Sequence, residues 1–367
     1  MDEHARRATI SSEYMQWAKL RAGARFNLAT SGLANATLAE LSFRHQDLVL
    51  SRTSEYGYGP LQKALAAKCG VSKECVVAAQ GTSFANHLAI AALIEPGDEV
   101  LIEHPTYELL VTTARYLGAR VERFERRGDE GFALDPSEVE RRITPRTRLI
   151  VLTNLHNPSS AGTPVEVLRR VGEIARGVGA RVLVDEVYLD AMFERAPPSA
   201  FQLGEEFITT NSLTKVYGLG GLRCGWVLAA PELAKRMWLL NDLYGVNPAH
   251  PAELLCVNAL ENLAPLAAKA RTLLGTNRDL LDSFLDSRDD LEWTRQEFGT
   301  VAFPRLRAGE ADALCALLRE KYETTVVPGR FFGMPQNFRV GIGGDTETLS
   351  GGLERLGKAL DELAGSL

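Results

Sequence analysis

The sequence predicts an α/β fold: a large domain on a mainly parallel, seven-stranded sheet flanked by helices, followed by a smaller α+β domain. Three observations predict it. Short apolar, β-prone runs recur at 76–79, 100–103, 120–124, 148–153, 181–185, 207–210 and 225–229. Helix-period patterns fall between several of them, at 85–94, 107–117 and 165–178. Continuous apolar strands alternating with helices describe a parallel sheet covered on both faces. After Pro231 the pattern changes to a long helical region at 251–285, strand-like pieces at 299–304 and 337–342, and helices at 311–321 and 346–363. The short pieces of residues 1–45 cannot fold alone and are expected to pack with the smaller domain, giving a division into 1–45, 46–250 and 251–367.

Bulk properties narrow the function. The chain has 367 residues, 45% hydrophobic and 24% charged, with a formal net charge of -6. Its basic residues are dispersed, which argues against nucleic acid or an acidic membrane surface as partner. No apolar run approaches membrane-spanning length, and the start Met1-Asp2-Glu3-His4-Ala5-Arg6-Arg7 has no apolar core of a signal peptide. Five cysteines without close pairing point to reduced thiols in a cytoplasmic protein, and six scattered histidines without ligand spacing point away from a metal.

In open parallel sheets, ligands bind beyond the carboxyl ends of the strands, so the residues there carry the weight. Gly81, Thr82 and Ser83 open a helix directly after the first run; that start suits a phosphate, or Thr82 or Ser83 is an ordinary cap. Tyr107 follows Glu103-His104-Pro105-Thr106 and suits ring stacking or half-buried packing equally. Asn157 precedes Pro158, which pushes its backbone toward extended geometry and fixes its side-chain direction; a plain Asx-Pro turn reads the same. Asp185 ends the buried run Arg181-Val182-Leu183-Val184, and a desolvated carboxylate there needs a partner. A cation at ~4 Å and an effective dielectric near 20 would attract it by roughly 4 kcal/mol.

The run Asn211-Ser212-Leu213-Thr214-Lys215 extends through Gly218, Gly220, Gly221 and Arg223 to Gly225. It sets a lysine three residues after a hydroxyl and eight before an arginine. Such a loop can condense an amine with an aldehyde while holding a phosphate on the same small molecule. Its glycines also suit a dinucleotide loop, but that fingerprint belongs between the first strand and helix. Near the end, Pro328-Gly329-Arg330-Phe331-Phe332-Gly333 precedes Arg339, whose planar guanidinium matches a carboxylate.

In this order and spacing the motifs resemble the class I/II aminotransferases, fold-type I pyridoxal-phosphate enzymes, over roughly residues 25–345. The resemblance implies an aspartate-aminotransferase-like fold with pyridoxal 5'-phosphate joined to Lys215 as an internal aldimine. It implies Gly81, Thr82, Ser83, Ser212 and Arg223 at the phosphate, and Tyr107 stacked on the ring. Asp185 would face the ring nitrogen, with Asn157 and Tyr188 at the phenolic oxygen. Gly32 and Arg339 would border the substrate carboxylate, with Arg330 a lesser candidate, and Asn157 would also count among the substrate-binding residues. Tyr56, in preference to Tyr58, would reach the partner subunit's phosphate across a homodimer. The Asn157 turn departs from the family's pattern, with Ser-Ser-Ala-Gly in place of Thr-Gly. The implied reaction moves an amino group between an amino acid and a 2-oxo acid in ping-pong order. A decarboxylase or β-lyase acting on an amino acid or phosphorylated amine is the alternative, and a non-catalytic regulator a more remote one.

Overall fold

The computed structural model describes residues 11–365; the polar start, 1–10, and the last two residues lie outside the described residues. The seven expected strands form one sheet: β1 (Val76–Gln80), β2 (Glu99–His104), β3 (Arg120–Glu125), β4 (Thr147–Thr153), β5 (Arg181–Asp185), β6 (Phe207–Ser212) and β7 (Cys224–Leu228). Their order is β1-β7-β6-β5-β4-β2-β3, parallel throughout except for β7, which runs antiparallel to both neighbours.

The central strands are apolar on both faces because both faces are covered. Val100, Ile102, Leu149, Val151 and Leu183 belong to one hydrophobic cluster, and the alternating Leu101, Ile150, Leu152, Val182 and Val184 to another. Period-two alternation thus divides each strand between two cores.

Helix α1 (Glu13–Leu20) is held at its amino end by Glu108, whose carboxylate accepts from Ser12 Oγ at 2.8 Å and from the Tyr14 N–H at 2.7 Å. Negative charge suits a helix amino terminus. Helix α2 (Thr82–Leu93) turns Ala85, Leu88, Ala89 and Ala92 to the sheet and begins three residues earlier than its apolar pattern suggests. Glu108–Tyr116 forms α3, with Tyr107 at its N-cap. Helix α4 (Val165–Val178) ends at Gly179, whose φ of 74° is the left-handed cap glycine tolerates best.

The long region expected at 251–285 is two helices, α5 (His250–Glu261) and α6 (Leu263–Asp286), broken at Asn262. Pro265 explains the break: its ring clashes with the carbonyl four residues back and it has no N–H to continue the ladder. The strand expected at 299–304 shortens to β8 (Val301–Ala302), because Pro304 cannot donate to a ladder. With β9 (Val327–Pro328) and β10 (Phe338–Gly341) it makes an antiparallel sheet of order β8-β10-β9. Helices α7 (Ala311–Tyr322) and α8 (Thr346–Ala364) follow the expected periodicity, and Phe26–Asn27 pairs in parallel with Thr324–Thr325. No described helix is long and apolar enough to cross a membrane.

Candidate active site

One cavity of about 570 Å³ gathers most of the chemistry at the carboxyl edge of the large sheet. Gly32, Thr82, Ser83, Tyr107, Asn157, Asp185, Tyr188, Ser212, Lys215 and Arg223 all line it.

Lys215 sits in the loop after β6, half-buried, with Nζ donating to Ser31 Oγ at 3.0 Å. Burial pushes its ammonium below the usual lysine range; Tyr14 and Asp185 oppose that, while Arg339 and Arg223 add to it. The loop is gripped by the N-terminal segment, where the Leu33 N–H donates to the Lys215 carbonyl at 2.8 Å. A Cβ on Gly32 would lie 3.2 Å from Lys215 Cδ, so glycine leaves the lysine side chain its path.

Asp185 closes β5 and is 4% exposed. Burial raises its pKa to about 6, against hydrogen bonds from Asn86 Nδ2 at 2.8 Å and the Val187 N–H at 3.0 Å, and against the Lys215 charge. Tyr188, two residues beyond Val187's neighbour Glu186, is buried beside Ser31, and burial raises its phenol. Tyr107 meets Tyr14 edge to face at 5.7 Å and its hydroxyl donates to Met15 Sδ at 3.5 Å; burial raises its phenol too.

Arg339, on β10, stands one layer behind the cavity wall and is fully buried. Its Nη1 donates to Asn157 Oδ1 at 2.9 Å, and Nη2 to Tyr14 Oη at 3.0 Å and the Ala29 carbonyl at 3.2 Å. Its Nε is buried with no partner among the described residues. All three acceptors are neutral.

At the other end, Gly81 is the N-cap of α2 with φ 80°, and a Cβ there would lie 2.2 Å from Arg223 Nη2. Thr82 Oγ1 and Thr214 Oγ1 are buried and hydrogen-bond nothing among the described residues. A helix start, idle hydroxyls and a guanidinium converge there, a donor set suited to a phosphate.

The family model for aminotransferase class I and II matches residues 27–356. The chain belongs to that family. It is 29% identical over 304 residues to arginine–pyruvate transaminase AruH of Pseudomonas aeruginosa, covering 80% of this chain and 77% of the relative. It is 29% identical over 354 residues to capreomycidine synthase of Streptomyces vinaceus, covering 92% and 90%. A solved PLP-dependent aminotransferase from Streptococcus suis matches with a TM-score of 0.89 at 27% identity, covering 95% and 97%. The protein is a pyridoxal-phosphate-dependent aminotransferase of the aspartate-aminotransferase-like fold.

The residues present in this aminotransferase fit the cofactor. The unpartnered Thr82 and Thr214 hydroxyls can serve its phosphate, and Asp185, in no ion pair among the described residues, can serve a ring cation.

Three residues weighed from the sequence, Tyr56, Tyr58 and Arg330, lie apart from the cavity. Tyr56 is exposed, its hydroxyl donating to Asp242 Oδ2 at 3.0 Å, and Tyr58 packs edge to face on His250. Arg330 is also outside, paired with Asp312 at 3.3 Å and lying over the Phe331 ring. Among the cavity residues not singled out from sequence, Tyr14, Ser31, Asn86 and Thr214 bear most on the chemistry. Thr214, next to Lys215, and Ser31, next to Gly32, carried a local signal; Tyr14 and Asn86 did not.

Proposed function

We propose that the protein transfers an amino group between an amino acid and a 2-oxo acid in ping-pong order, with Lys215 as the catalytic residue. The observation that carries the reading is one cavity walled by Lys215 and Asp185, with Arg339 behind it, where Asp185 lacks a cation and Arg339 lacks an anion among the described residues. Gly81, Thr82, Ser83, Ser212, Thr214 and Arg223 hold the phosphate, Tyr107 covers the ring, and Asn157 and Tyr188 serve the phenolic oxygen. Bound there, pyridoxal phosphate supplies an aldehyde for the substrate amine and a ring that accepts the electrons of the Cα–H bond.

Asp185 keeps a positive charge at the ring nitrogen. Arg339 binds the substrate carboxylate beside Gly32, exchanging neutral acceptors for a bidentate ionic partner. Lys215, whose charge burial disfavours, takes the Cα proton and later returns one.

The same reading makes the enzyme a cytoplasmic homodimer, with Tyr56 reaching the partner's phosphate. Exposed Leu48, Val49, Leu50, Leu243, Tyr244 and Val246 support it. The chain just after the first stretch is tied to the second by Tyr56 to Asp242 and by Asn247 to Ser54, and exposed apolar side chains of this kind suit a partner surface. It also divides the chain into 1–45, 46–250 and 251–367, a division supported by the pairing of Phe26–Asn27 with Thr324–Thr325.

The test is borohydride reduction of the holoenzyme with peptide mapping, together with half-reactions against a panel of amino acids. The label is expected on Lys215, and bleaching by an amino acid is expected to reverse with a 2-oxo acid. A label elsewhere sinks the reading; released carbon dioxide or an eliminated side chain would instead assign a decarboxylase or lyase.

A further inference from the structure

Asn86 lies on α2, one turn beyond Thr82, and is 4% exposed. Its Nδ2 donates to Asp185 Oδ2 at 2.8 Å, and its Oδ1 accepts from Thr210 Oγ1 at 2.6 Å. Thr210 stands on β6 in register with Asp185 on β5 and is fully buried. The direction of this chain is fixed chemically. Turning the amide over would set its oxygen against the Asp185 carboxylate, two acceptors face to face, and the Thr210 hydroxyl supplies the hydrogen that the amide oxygen needs.

We propose that Asn86, oriented by Thr210, is a positioning residue that keeps the Asp185 carboxylate ionised and aimed into the cavity. The inference rests on the assignment of Asp185 to the cofactor's ring nitrogen. Asp185 needs such help. Burial favours its neutral form, and the Asn86 amide and the Val187 N–H are the two hydrogen bonds opposing that. The charged groups facing it are Lys215, which also favours ionisation, and Glu103, which disfavours it. A neutral carboxylic acid would leave a protonated ring without a counter-charge. The relay has a second consequence. Thr82 and Ser83 at the phosphate end and Asn86 at the ring-nitrogen end share one helix, so α2 sets the spacing between the two ends of the cofactor site.

The test measures pyridoxal-phosphate affinity of the apoprotein as a function of pH. Wild-type affinity should fall as pH drops through the Asp185 titration. Asn86→Leu should move that midpoint upward by about one pH unit, the size of one lost hydrogen bond to a carboxylate, and weaken binding about tenfold below both midpoints and about twofold at neutral pH. Comparing variants cancels the cofactor's own titration. Thr210→Val should shift the midpoint in the same direction by less, and Thr210→Ser should restore it; both keep the relay testable if Asn86→Leu does not fold. In turnover, kcat should fall more than KM rises. A midpoint unmoved in Asn86→Leu and in Thr210→Val would overturn the proposal. Asp185→Asn separates the two claims. If it retains the wild-type pH dependence, the Asp185 assignment is wrong; if it loses the dependence while Asn86→Leu keeps it, only the relay falls.

Discussion

Arg339 Nη1 donates to Asn157 Oδ1 at 2.9 Å across 182 residues of chain, joining the carboxy-terminal sheet to the loop after β4. The bond is neutral on one side, and so are the guanidinium's other two, to Tyr14 and the Ala29 carbonyl. A fully buried cation that rests on neutral acceptors and on the Tyr14 and Phe332 rings is costly unless an anion completes it.

Arg339→Lys should therefore raise KM for amino acids about 10- to 100-fold with a smaller change in kcat. An ammonium keeps the charge but loses the two-pronged geometry, and hydrogen bonds to charged groups are worth ~1.5–3 kcal/mol. Steady-state kinetics checks it. An unchanged KM would move the carboxylate site elsewhere.

Lys215→Met should abolish turnover and raise the thermal stability of the apoprotein. Burial lowers the Lys215 pKa, so the folded chain bears a cost for the ammonium at neutral pH, relieved as pH rises through the folded and then the unfolded value. A methionine of similar reach removes that cost. Calorimetry of the apo forms, paired with an activity assay, measures both effects.

Asp185 gives a pH signature of opposite chemistry. Its folded pKa is raised from 3.8 to about 6, so the folded apoprotein binds more protons than the unfolded chain in that window. Stability must then fall as pH rises from about 4 to about 6, by about 3 kcal/mol for the full displacement. Glu186, raised to about 7, adds a loss of the same sign over an overlapping window. Asp185→Asn should remove the first part of the slope, read by denaturant titration at several pH values, and leave the Glu186 part. It should also slow Cα–H cleavage severely, seen as loss of solvent exchange at that carbon.

The strands that lead to Asp185 and to the Lys215 loop were legible because Val182 to Val184 is an apolar run and Phe207 to Thr210 a β-prone one, each stopping at polar residues. Local spacing also made the Lys215 loop legible. Asn86 was not, since its pattern among Ala85, Leu88 and Ala89 is that of any packed helix. Its amide gains meaning only when β5 and β6 align Asp185 with Thr210. Tyr14 was hidden for a similar reason, because its hydroxyl meets a guanidinium 325 residues away. The break at Asn262 was hidden by helical periodicity on both sides, although Pro265 marked it.

Gly81→Ala should cost stability and cofactor affinity through separable causes. The residue has φ 80°, a region where a side chain is strained, and its Cβ would lie 2.2 Å from Arg223 Nη2 and 2.8 Å from Cζ. Arg223 cannot yield freely: its own φ is 53°, and Nη1 and Nη2 donate to the Gly220 and Gln80 carbonyls at 3.2 and 3.3 Å. Backbone strain of this kind costs ~1–3 kcal/mol, and the displaced guanidinium loses its aim at the phosphate. The double variant Gly81→Ala with Arg223→Ala tells the two apart. Removing the colliding group should recover part of the lost melting temperature while pyridoxal-phosphate affinity stays low, because the arginine itself supplied it. Recovery of affinity along with stability would mean that Arg223 is a packing residue and that the helix start binds the phosphate without it.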